Sequence, residues 1–200
     1  MNLPTMRTKV RQDLKDEDSV RWSDDELDRH IQHAVLDIAQ AVPLEAKSAS
    51  LVIPNPASRE ISLSSITGLI YVEAVEYPTG EYPKRYREFR VWGNTLELLI
   101  DETPTANAPV YLYYGKTHTI DATTSTLPPY LEDLCAVGTS AYAALEWASY
   151  TINQVNVGGE PTPREFLEWA QRRLDFYHKE LKRYGRQSRL KIRRLFAETS

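Results

Sequence analysis

The hydrophobic period of this chain changes twice, from a helical repeat to a strand repeat and back again, and that order limits its fold more than any other feature. Met6, Val10 and Leu14 recur at i, i+4 and i+8 and predict a short amphipathic first helix. A second helix is predicted to begin at Ser23. Its hydroxyl can cap the first N–H groups, and Glu26 three residues on can reach back to complete a capping box. Trp22 and Leu27 stand where a hydrophobic staple needs them, and Asp24, Asp25 and Glu26 sit at the positive end of the helix dipole. The stripe Leu27, Ile31, Ala34, Val35, Ile38, Val42 runs to Pro43, a length of about 28 Å.

From residue 50 to 120 the chain becomes rich in proline, and its apolar runs are short and β-branched. Residues 59–63, 70–77, 86–91, 95–100 and 110–114 read as strands, with Gly93-Asn94 as a tight turn between two of them. Leu127-Pro128-Pro129 then opens a third helix reaching about Ile152, apolar nearly all round and rich in Ala, Ser and Gly, so a central position is expected. Thr162-Pro163-Arg164-Glu165 is a second capping box, and Phe166, Ala170, Leu174, Tyr177, Leu181 and Tyr184 mark a fourth helix that Gly185 can end. The expected fold is α+β: a four-helix bundle from residues 1–49 and 127–185, a small antiparallel β-domain at 50–126 between helices 2 and 3, and an extended basic arm at 186–200.

Charge is split along the chain. Residues 161–200 hold 11 Lys/Arg against 5 Asp/Glu, a net +6, which leaves 13 against 23, a net −10, on the first 160. Such a split gives two regions that prefer different neighbours. The run from Lys182 to Phe196 is the most unusual stretch. Arg183, Arg186, Arg189, Lys191, Arg193 and Arg194 supply charge with no acid among them, while Leu190, Ile192, Leu195 and Phe196 punctuate the end. A purely electrostatic nucleic-acid tail has no use for those four apolar side chains; an arm docking on a protein uses both kinds.

No Walker loop, Gly-x-Gly-x-x-Gly turn or Gly-x-Ser-x-Gly elbow occurs. His30 and His33 lie one turn apart beside Glu26 and Asp37, but no second His or Cys pair completes a metal set, and solvated helix residues are expected there. Cys135, the single cysteine, is expected to be a small core residue. No role follows for His118 or His178. The carboxylate-rich stretch 13–28 lacks the spacing and turn glycine of a calcium loop, so a solvated acidic loop is expected. Neither metal nor cofactor is expected. The most apolar run, Leu134 to Leu145, is too short for a membrane span of about 20 residues, so a soluble protein made in a reducing cytoplasm is expected.

Residues 6–14, Met-Arg-Thr-Lys-Val-Arg-Gln-Asp-Leu, followed by Arg21-Trp22-Ser23-Asp24-Asp25-Glu26-Leu27, resemble the opening of the head–tail adaptor (connector) proteins of tailed bacteriophages. Tyr113-Tyr114-Gly115-Lys116-Thr117-His118-Thr119-Ile120, leading into Leu127-Pro128-Pro129-Tyr130-Leu131, is similar to the same family, as is the order of parts. The insertion is larger than in the minimal, all-helical adaptors. The resemblance implies a non-enzymatic virion protein at the head–tail interface, synthesised in the bacterial host. It implies a homo-oligomeric ring, typically of twelve copies, under the portal protein. Its partners would be the portal, neighbouring subunits and the next tail component (stopper, nozzle or tail tube), with DNA passing through unbound. Portal binding would fall to the basic arm from Arg183 to Phe196. The alternative is a nucleic-acid-binding module that grips phosphates with that arm.

Overall fold

The computed structural model describes residues 1–151 and 163–192. The chain divides into two compact units, one built from residues 1–42 and the chain after 117, the other from 43–117. Both belong to an α+β fold with four helices and small antiparallel sheets.

The helical unit contains α1 (Leu3–Leu14), α2 (Asp24–Ala41), α3 (Pro129–Thr151) and α4 (Pro163–Ile192). Asn2 caps α1 by accepting from the Thr5 N–H at 3.1 Å, and Lys15 at φ 55° ends it. Ser23 caps α2 in both directions: its Oγ accepts from the Glu26 N–H at 3.3 Å, and Glu26 Oε2 accepts from the Ser23 N–H at 2.8 Å. Replacing Ser23 with Ala therefore leaves a helix-end donor without its partner. A loss of about 0.5–2 kcal/mol is expected, read as a lowered midpoint in thermal or urea unfolding.

The four helices share one core that includes Met6, Val10, Leu27, Ile31, Ile38, Leu131 and Tyr177. The small residues of α3 let its neighbours approach closely. An ideal Cβ on Gly138 would lie 2.7 Å from the Tyr177 ring, so glycine there makes room for the largest fully buried side chain. Trp22 is also buried, stacked on Phe166 at 6.3 Å and donating its indole N–H to Ala143 O at 3.3 Å.

The structure departs from the expected end of the fourth helix. α4 does not stop at Gly185 but continues to Ile192, so residues 186–192 are helical rather than an extended arm. Glycine is present for packing instead of capping: a Cβ there would meet Ala41 O of α2 at 3.1 Å. Residues 193–200, and Thr162 of the expected second capping box, lie outside the described residues.

The β unit holds a four-stranded antiparallel sheet in the order β1-β7-β3-β4 and a three-stranded sheet in the order β2-β6-β5. The strands are β1 (Leu44–Val52), β2 (Glu60–Ser62), β3 (Leu69–Glu76), β4 (Tyr86–Arg87), β5 (Phe89–Trp92), β6 (Thr95–Leu98) and β7 (Pro109–Lys116). Side chains from both sheets, among them Leu51, Ile61, Val75, Leu96, Leu98 and Leu112, close around a common apolar core.

Two boundaries differ from expectation. Residues 44–49, expected within the N-terminal helical part at 1–49, instead form most of β1, which pairs with β7 from Leu44↔Lys116 to Val52↔Pro109. At the other end His118 to Thr126 belong to the helical unit, where Ile120 joins the helical core. The expected single strand at 86–91 is two, because Glu88 lies between a pair of residues in one sheet and four in the other.

Candidate interaction surface

The acidic stretch 13–28 is mostly internal wiring. Asp16 is buried, and its Oδ1 accepts from the N–H groups of Val20 and Arg21, each at 2.9 Å. Its Oδ2 accepts from the Trp22 N–H at 3.2 Å and from Arg11 Nη1 at 3.1 Å. The same guanidinium donates to Trp22 O at 2.9 Å and, through Nη2, to Asp24 Oδ1 at 2.8 Å. Asp28 takes the Arg7 Nε–H at 2.5 Å, and Asp13 is paired with Arg173 of α4. The hydrogen bond from Arg11 pulls the Asp24 carboxyl below its ordinary range, and the Ser23 backbone N–H does the same for Glu26. The expectation of a solvated loop holds for exposed Glu17, Asp18 and Asp25, while Asp24 and Glu26 are exposed but engaged by Arg11 and Ser23. Capping of successive N–H groups by one carboxylate explains why the stretch needs acid.

Three of the four histidines also lie against specific neighbours. His30 is buried rather than solvated, with Nε2 2.7 Å from Glu146 Oε2, and burial pushes its pKa below the ordinary value. His33 stacks on Tyr142 with ring centroids 4.2 Å apart. His118 places Nδ1 3.1 Å from Thr126 O and Nε2 3.0 Å from Val42 O. His178 is exposed beside Tyr177. Among the described residues no group of three or more His, Cys, Asp or Glu is placed to hold a metal ion. Cys135 is buried, and desolvation pushes its thiol up to about 12, which leaves almost no thiolate to act as a nucleophile.

The basic segment lies on α4. Lys179, Lys182, Arg183 and Arg186 are exposed. Arg183 is held in place by Glu180 at 2.6 Å and lies 4.8 Å from the Tyr184 ring centre, while that ring packs on Tyr130 of α3 at 5.4 Å. The helix backbone carries Arg189, Leu190, Lys191 and Ile192 onward in the same direction. Arg193, Arg194, Leu195 and Phe196 fall outside the described residues. Of the ten arm residues, the structure thus brings the first six onto one helix.

A second surface was not singled out from the sequence. In the β unit Tyr82 is 99% exposed and Trp92 76% exposed, with Tyr86 and Val91 also open to solvent. Tyr86 meets Tyr113 edge-on at 5.9 Å, and cations gather at that ring: Lys84 donates to Tyr113 Oη at 3.0 Å, and Lys47 sits 3.8 Å from the centre of the Tyr111 ring and 5.3 Å from that of Tyr113. The buried Glu76 carboxylate accepts from Tyr113 Oη at 2.6 Å. The signal for this surface was a tryptophan directly before a Gly-Asn turn, a place where an apolar ring has no core to enter.

Helices in one unit and paired antiparallel sheets in the other thus define an α+β protein with exposed cationic and aromatic surfaces. No family model matches the chain. No curated protein matches it either. Among solved structures it is similar to a chain from the neck of an empty GTA particle computed with C6 symmetry. That similarity has a TM-score of 0.33 at 12% identity, over 85% of this chain and 88% of the other. A likeness at that level carries no argument about what this chain does. None of the helices described is long and apolar enough to cross a membrane.

Proposed function

We propose that this chain is a structural head–tail adaptor of a tailed phage, a non-catalytic ring subunit beneath the portal that extends the DNA channel and receives the next tail component. The observation that carries the reading is the end of α4, where a helix packed against the core through Tyr177 and Leu181 goes on to present Lys182, Arg183 and Arg186 to solvent. The sequence resemblance supports it independently. A ring of identical subunits uses a heterologous interface, one flank of a copy packing on the opposite flank of the next; twelve copies is the number the resemblance implies.

In this reading Arg183, Arg186, Arg189, Lys191, Arg193 and Arg194 meet acidic or carbonyl groups of the portal, while Leu190, Ile192, Leu195 and Phe196 fill apolar pockets. Ordering a residue costs roughly 1–2 kcal/mol of backbone entropy, and residues 183–192, already helical, avoid most of that cost on docking. Burying each of Leu195 and Phe196 would add about 1.5–3 kcal/mol. Truncation after Gln187 is expected to leave the melting curve nearly unchanged and to abolish capture by assembled portal in a pull-down. Equal capture of the full and shortened chains would sink the assignment.

A further inference from the structure

The outer strand of the three-stranded sheet, β5, has β6 on one side and, among the described residues, no strand on the other. It pairs Phe89 with Leu98, Arg90 with Glu97, Val91 with Leu96 and Trp92 with Thr95, without a register shift. The Leu99 N–H donates to Glu88 O at 2.9 Å, which sets the phase of the ladder. Hydrogen-bonded pairs alternate in an antiparallel ladder, so residues 88, 90 and 92 turn their backbone groups toward β6. Val91 turns its N–H and C=O toward the open side.

Three consecutive residues of this strand, Arg90, Val91 and Trp92, are exposed, as are Gly93 and Asn94 of the turn. Both faces of the hairpin tip therefore stand clear of the core. Soluble proteins usually blunt an edge with a proline, a bulge or a covering loop. This one has neither proline nor bulge in β5 and ends it with a tryptophan that is 76% exposed.

Charge indicates what the edge would accept. Across the sheet Glu60 lies opposite Glu97, and Glu97 opposite Arg90, so the row ends on a cation at the open side. Of the cations nearby in sequence, Lys84 donates to Tyr113 Oη, Arg87 donates to Tyr77 O and Arg85 holds Glu81 at 2.8 Å, which leaves exposed Arg90 as the cation of the edge strand itself. A second copy of β5 fits poorly. Antiparallel pairing centred on Val91 sets Arg90 opposite Trp92 and supplies no carboxylate.

We propose that the open edge of β5 is a docking site for an extended, acidic segment of a partner protein, which adds to the sheet as a further strand with a carboxylate opposite Arg90 and an apolar side chain against Trp92. Main-chain hydrogen bonds to Val91 supply affinity in this mode of recognition, and alternate side chains supply selectivity. The proposal stands apart from the ring reading, since it needs only the β unit.

The full chain, isotopically labelled, is titrated with a ten-residue acetylated peptide in which every second residue is threonine and the others alternate glutamate and valine, so that one face offers both, and with its counterpart carrying lysine for glutamate. Near saturation the acidic peptide is expected to slow exchange of the Val91 amide by about tenfold or more, an opening linked to binding, and to shift the Trp92 indole N–H resonance. Val91→Pro removes the outward donor at a position where an edge strand tolerates proline, and it is expected to abolish that shift. Arg90→Gln is expected to weaken acidic-peptide binding about threefold, in line with one cross-strand charge pair, and it carries the test if the proline variant does not fold. Equal binding of both peptides, or an unprotected Val91 amide at millimolar acidic peptide, would overturn the proposal. So would protection of Val91 without peptide, accompanied by a dimer in sedimentation, which would give the edge to a second copy.

Discussion

Tyr177→Ala is expected to lower the stability of the helical unit by about 3–5 kcal/mol, the range for deleting a buried aromatic ring. Tyr177 is fully buried and stands where three helices meet. Its ring lies against Gly138 of α3, its hydroxyl donates to Ala34 O of α2 at 3.0 Å, and Tyr142 meets it edge-on at 6.2 Å. Glycine at 138 offers no side chain of its own to fill the space. Burial and nearby Asp37 hold the phenol well above its ordinary pKa, so it stays a neutral donor throughout the working range. Tyr177→Phe keeps the ring and gives up one hydrogen bond, a net loss of about 0.5–1.5 kcal/mol. Urea unfolding of both variants separates packing from hydrogen bonding. An alanine variant within about 1 kcal/mol of the parent would show that the helices collapse onto the gap, as the spread among cavity mutants allows. Domains of this kind have total stabilities of about 5–15 kcal/mol, so the expected loss is a large share. Because α4 also carries the basic segment, the same variant should lose any partner held by that segment.

The parts of this fold that could be read from sequence are those whose cause is local. The start of α2 was legible because Ser23 and Glu26, three residues apart, make the cap between themselves. β1 was not, since Glu45, Ala46, Lys47 and Ser48 have no preference for strands and are held by β7, far away in the chain. Gly185 was read as a helix end because a glycine there usually is one. Its reason, the nearness of Ala41 O, exists only once α2 and α4 are packed. The same division runs through the interaction surfaces. Charge at the end of α4 is a matter of composition, and its cationic character was plain. The two hairpin strands around Gly93-Asn94 were legible, yet the openness of β5 depends on sheet order, which joins strands distant in sequence.

Asp16→Ala is expected to cost about 3–5 kcal/mol, although the residue lies in a connecting loop, because it breaks a buried ion pair from one side and leaves Arg11 only the exposed Asp24 as counter-charge. The side chains of Arg11 and Asp16 are 9% and 3% exposed, so water cannot replace the lost partner. Three backbone donors, the N–H groups of Val20, Arg21 and Trp22, lose their acceptor at the same time. Of these only the Trp22 N–H is buried, and leaving it unsatisfied costs on the order of 1–3 kcal/mol; Trp22 would also lose the anchor that seats its ring against Phe166. Asp16→Asn should fall between the two extremes. Its amide oxygen can still accept from Val20 and Arg21, but its NH2 group would face the Trp22 N–H and the Arg11 guanidinium, donor against donor. A double-mutant cycle isolates the ion pair. Arg11→Met alone removes the cation, and Arg11→Met with Asp16→Ala should recover about 0.5–3 kcal/mol relative to the sum of the single changes. The measurement is chemical unfolding of all four proteins at pH 7. An Asp16→Ala protein within about 0.5 kcal/mol of the parent, the usual range for surface changes, would mean that the loop rearranges without penalty and that Asp16 does not organise it.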